Sequence, residues 1–99
     1  MTAPSLVGVM PSVVFVTVTA EDVERSRAES RGPRAATCVV AQALGRAFPE
    51  EVVLVGPTGA HIGGHDYDLD VAAREVVRRF DLGEAIAVPV QVGITKKGA

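Results

Sequence analysis

Between Val13 and Thr19 the chain reads Val-Val-Phe-Val-Thr-Val-Thr, a run in which every residue but Phe15 is β-branched. Such side chains crowd a helix and suit a pleated, half-buried surface, so this segment specifies a strand. A strand needs partners, and the chain offers several. Ile86, Val88, Val90, Val92 and Ile94 alternate with Ala87, Pro89, Gln91 and Gly93, the period of a strand with one buried face. Val14, Val16 and Val18 share one face of the first run, and Val13, Phe15 and Thr17 the other. Apolar on both faces, it is expected at the centre of a sheet. Pro89 cannot donate to a ladder, so the last strand is expected at an edge or with its free side outward.

Helical signals separate these runs. Thr19-Ala-Glu-Asp22 has the form of a capping box with acids at the positive end of a helix, which predicts a short helix over residues 20–27. Glu24 to Arg34 is charged, lacks apolar anchors and holds Ser26, Ser30, Gly32 and Pro33, so it reads as an exposed loop. Pro33 suits the first turn of a second helix, predicted over 34–47. There Ala36, Val39, Val40, Ala43, Leu44 and Ala47 recur at the helical period and turn toward the sheet. The opposite side is unusual: Cys38, Ala41, Gln42 and Gly45 stand where a solvated helix carries charge. Small residues let another backbone come close, so this strip is expected to meet the first helix or a second copy of the chain.

Val52 to Val55 is a further strand, apolar on both faces, and Gly56-Pro-Thr-Gly59 turns it back into Ala60 to Ile62. Gly63-Gly64 permits a bend before His65 to Leu69, where Tyr67 and Leu69 face inward. A third helix over 70–80 groups Ala72, Ala73, Val76, Val77 and Phe80, with Arg74, Glu75, Arg78 and Arg79 opposite. Gly83 supplies its left-handed cap. Residues 1–12 form an arm in which Leu6, Val7, Val9 and Met10 suit a sheet edge, interrupted by Gly8 and Pro11; Met10 is a second possible start. The expected fold is α+β: a small mixed or antiparallel sheet of about four to five strands, two main helices and one short one. Residues 1–12 are the arm, 13–95 a single domain and 96–99 a polar tail.

Ninety-nine residues fill one domain. A net charge of −2 provides no global field toward nucleic acid or an anionic membrane. Cys38 is the only cysteine, which removes an internal disulfide and a cysteine-rich zinc site and agrees with a reducing compartment. Residues 1–18 lack the basic start and uninterrupted apolar run of a signal peptide, and no run reaches the length of a membrane span. A cytoplasmic protein is expected, with no membrane partner.

The densest set of possible ligands is His61, His65, Asp66, Asp68 and Asp70. As an EF-hand loop from Asp66 it fails, with Val71 where Gly is needed and Val77 where a bidentate Glu is needed. As a zinc site it lacks an ordered third ligand. The bland reading is a solvated strand followed by a helix cap from Asp68 or Asp70. Gly56, Gly59, Gly63 and Gly64 do not make a phosphate loop, because no Gly-Lys-Ser/Thr follows. Cys38 has no identifiable base beside it. Arg25, Arg27, Arg31, Arg34, Arg74, Arg78 and Arg79 could contact phosphate, but Glu21, Asp22, Glu24, Glu29 and Glu75 lie among them. No cofactor is expected.

Val16-Thr-Val-Thr-Ala-Glu-Asp-Val23, Thr37-Cys-Val-Val-Ala41, Tyr67-Asp-Leu69 and Arg79-Phe-Asp-Leu-Gly83 together resemble a group of small uncharacterised proteins of actinobacterial phages and their hosts. The likeness spans most of residues 13–94, and Val39 stands where that group tends to have proline. It implies a mobile-element origin and no catalytic residues. The leading expectation is a non-enzymatic protein-interaction module, phage-encoded with a host-takeover, anti-defence or virion-associated role, acting on a host or virion protein, with a homodimer possible. Its expected surface is Cys38, Ala41, Gln42, Gly45, Arg74, Arg78 and Arg79. The alternatives are a nucleic-acid-binding regulator using the arginine faces and a metal-dependent enzyme at His61 to Asp70.

Overall fold

A computed structural model describes residues 11–29 and 38–97. In chain order the elements are β1 (Val13–Val18), α1 (Ala20–Ala28), α2 (Val39–Ala47), β2 (Val53–Val55), β3 (Gly59–Ile62), β4 (His65–Leu69), α3 (Val71–Asp81) and β5 (Val90–Lys96). The strands form one antiparallel sheet in the order β1-β5-β4-β3-β2, and the fold is α+β. The arm before Pro11, the segment 30–37 with Pro33 and Ala36, and residues 98–99 lie outside the described part.

Registers show which strand residues share the covered face. Val16 pairs with Val92, Val14 with Ile94, Leu69 with Ile94, Ala60 with Tyr67 and Val53 with Ile62. With Val39, Val40, Ala43 and Leu44 of α2 and Ala73, Val76, Val77 and Phe80 of α3 they build one core. Helix α2 packs against both β1 and β2, the two edge strands, so the sheet curls around it. Twist accumulating along the sheet supplies that curl.

Two expectations reverse. β1 is an edge strand, paired only with β5. Apolar residues on both faces imply a central strand only where both faces are covered; here the helices cover one, leaving Val13 51% and Phe15 61% exposed on the other. β5, expected at an edge because of Pro89, lies between β1 and β4. It begins at Val90, so the proline stands outside the ladder and removes no bond from it. β2 is likewise an edge strand, with Leu54 37% exposed rather than buried.

Local signals hold at the turns and caps. The β3–β4 hairpin has two turn residues, Gly63 and Gly64, both at positive φ (56° and 85°), the geometry that matches strand twist. One loop expectation fails: the charged stretch from Glu24, expected to be exposed, stays helical to Ala28 with Ser26 buried, because the helix continues from the Thr19 cap. Asp70 caps α3 by accepting from the Ala73 amide at 2.7 Å. At the other end Gly83 (φ 72°) donates to the Phe80 carbonyl and Glu84 to that of Arg79, a Schellman closure.

Candidate functional site

The capping box on α1 forms. Thr19 Oγ1 accepts from the Asp22 amide at 3.3 Å, and Asp22 Oδ2 accepts from the Thr19 amide at 2.9 Å. The structure adds what the cap alone does not require: Asp22 is only 1% exposed, and Arg46 reaches it from α2, with Nε 3.0 Å from Oδ1 and Nη2 on Oδ2. Burial pushes the Asp22 carboxyl up, and the Arg46 and Thr19 hydrogen bonds outweigh it, leaving the pKa below the usual aspartate value. Arg46 Nη2 also donates to the Thr17 carbonyl at 2.9 Å. One guanidinium thus joins α1, α2 and the outer edge of β1.

Beside that joint runs an open groove lined by Arg25 of α1, Ala41, Gln42, Gly45 and Arg46 of α2, and Phe48, Glu51 and Val53 beyond it. This is where the small-residue strip lies, and the structure divides it. Cys38 and Ala41 are buried, while Gln42 and Gly45 are partly exposed. Glycine within a helix costs about 1 kcal/mol against alanine. Among the described residues, nothing beyond the helix's own backbone lies within 4 Å of the place where a Gly45 Cβ would sit. The smallness of residue 45 therefore serves no contact among the described residues.

Arg74, Arg78 and Arg79 lie on α3, away from this strip in sequence, and Arg74 and Arg78 line a different depression with Pro57 and Leu82. Glu75 partly neutralises that face, accepting from Arg78 at 2.8 Å and from Arg79 at 2.7 Å. Those two partners hold the Glu75 carboxyl down at about 2. Arg79 also approaches Glu84 at 3.7 Å, and Arg25 pairs with Glu21 at 3.5 Å. Arg27 lies 5.8 Å from the Phe80 ring centroid. Arg31 and Arg34 lie outside the described residues.

The histidine and aspartate segment is split by strand geometry. His61 and Asp66 are paired across β3 and β4 on the open face, with Nδ1 2.8 Å from Oδ1, and this contact lowers the Asp66 pKa. His65 alternates to the covered face with Tyr67 and Leu69. Asp68 faces Lys97 at 3.6 Å, and Asp70 is spent on its helix cap. Among the described residues no three His, Cys, Asp or Glu side chains gather to hold a metal ion. Among them, too, no helix is long and apolar enough to cross a membrane.

Sequence reasoning missed Arg46 and the groove residues Phe48 and Glu51, and it singled out Arg25 only as a possible phosphate contact. A signal for Arg46 existed, since it is the only charge in the apolar helix Val39–Ala47. No comparable signal marked Phe48 or Glu51, which reach the groove through the course of the chain between α2 and β2. Comparison with protein-family models, with curated proteins and with solved structures finds no match to this chain.

Proposed function

We propose that this protein is a non-enzymatic interaction module that binds a partner protein across the groove between α1 and α2. The observation that carries the reading is Gly45, a helix glycine whose missing side chain leaves a space that no other element among the described residues fills. A partner backbone approaching the helix would use it. The groove offers apolar contact from Phe48 and Val53 beside charges of both signs, Arg25, Arg46 and Glu51, which suits a mixed polypeptide surface better than a phosphate backbone. The likeness to phage and host proteins of actinobacteria supports a host or virion protein as the target, in the cytoplasm of an infected cell.

The test compares wild type with Gly45→Leu as baits in a lysate of the native host. A protein held by the wild type and lost with Gly45→Leu, while the variant keeps its far-ultraviolet circular dichroism, supports the reading. Equal capture by both chains refutes it.

A further inference from the structure

The outer edge of β1 is a second feature, which meets the groove only at Arg46. Lys96 donates to the Ser12 carbonyl at 2.7 Å, and in an antiparallel ladder the bonding residues alternate. Residues 14, 16 and 18 therefore bond to β5, and Val13, Phe15 and Thr17 turn their amides and carbonyls outward. The contact of Arg46 with the Thr17 carbonyl agrees with that phase.

The outward row is closed at both ends. At one end Arg46 occupies the Thr17 carbonyl. At the other Pro11 has no amide hydrogen, and its carbonyl accepts from the Tyr67 hydroxyl at 2.9 Å. Between them Val13 and Phe15 carry backbone groups with no partner among the described residues, beneath side chains that are 51% and 61% exposed. Edge strands are ordinarily protected by charge, proline or a covering element. Residues 11–20 contain no charge at all.

We infer that this edge pairs with the same edge of a second copy, antiparallel, about a two-fold axis at Val14. That register places Val13 opposite Phe15 of the partner subunit and Phe15 opposite the partner's Val13, each pair exchanging two backbone bonds. It satisfies the open groups at Val13 and Phe15 and asks nothing of Thr17 or Pro11. The side chains agree with the backbone: the two pairs join an aromatic to a β-branched residue, a favourable cross-strand combination, and no like charges meet. A heterologous strand would fit the same row, but the two-residue spacing is what a two-fold ladder centred on one residue requires. The contact is short, so the dimer is weak and concentration-dependent.

Sedimentation velocity of the full chain over a wide concentration range tests this. The wild type is expected to move from the mass of one chain to that of two as concentration rises. Val13→Pro removes only an outward amide hydrogen, which an edge strand tolerates, and abolishes the doubling. Phe15→Glu abolishes it through the side chain and decides the matter if the proline variant does not fold. Gly45→Leu leaves it unchanged, because the groove plays no part. A wild type with the mass of one chain throughout overturns the inference, as does a dimer that survives in a folded Val13→Pro or Phe15→Glu chain or that Gly45→Leu removes.

Discussion

Arg46 and Asp22, 24 residues apart, meet in a two-bond contact between guanidinium and carboxylate that ties α1 to α2. The pair is lopsided: the carboxylate side chain is 1% exposed and the guanidinium 46%. α1 brings little apolar surface of its own, since Val23 is its only large apolar residue and is only partly buried. Its attachment to the domain therefore depends on polar contacts to an unusual degree, and that sets the first prediction.

Asp22→Asn removes a buried charge-assisted contact while leaving Arg46 free to reach water. A loss of about 2–3 kcal/mol is expected, measured by urea unfolding. Because the carboxyl binds its proton less readily folded than unfolded, its stabilisation is complete well above the ordinary value of 3.8 and is lost as pH falls through the lowered folded value. The acid limb of the stability curve should therefore be shallower in Asp22→Asn than in wild type. Identical acid limbs would show that other carboxylates govern it.

Gly93 is paired with Phe15, and a Cβ at residue 93 would lie 2.7 Å from the Phe15 ring and 2.8 Å from Asp70 Oδ2. Gly93→Ala should therefore cost about 1–3 kcal/mol through displaced neighbours, in spite of alanine's smaller backbone entropy loss. Adding Phe15→Ala should return part of that loss, read as a non-zero coupling in a double-mutant cycle of unfolding free energies.

At Gly64 the conformation and the space part company. Its φ is 85°, yet among the described residues nothing lies within 4 Å of where a Cβ would sit. Gly64→Ala should cost about 1 kcal/mol from backbone strain alone, and Gly64→Asn distinctly less, because asparagine tolerates the left-handed region. Thermal unfolding of the two variants measures the difference.

Glu75 should titrate at about 2 in a carboxyl-resolved NMR titration. Replacing Arg78 or Arg79 by Ala should move it up toward its ordinary 4.5, with either change alone giving only part of the shift, since each arginine holds it through a separate hydrogen bond. The same substitutions should leave the urea unfolding midpoint nearly unchanged, because the pair is solvent-screened on the surface of α3.

Much of this fold is legible in the residues one at a time. The capping box at Thr19, the hairpin glycines 63 and 64, the Asp70 cap, the Gly83 closure and most of the buried stripes of α2 and α3 appear where the local pattern puts them, because each depends on neighbours within a few positions; Ala47, expected in the α2 stripe, is exposed at the end of the helix. Of the expected surface, Gln42 and Gly45 are partly exposed, whereas Cys38 and Ala41 are buried in the chain's own core, a division that residue spacing along the helix does not report.

Strand order is what the tertiary structure alone decided. Val13 and Phe15 read as buried residues of a central strand, and Pro89 as the mark of an edge; the sheet placed β1 outside and β5 within. Alternation reports which residues share a face but not whether anything covers that face, and a proline one residue before a strand leaves its ladder intact. The meeting of Arg46 with Asp22 and Thr17 belongs to the same class of fact. It arises only when α2 crosses the curled sheet and brings its single charge to the edge of β1, a distance in space that no spacing along the chain encodes.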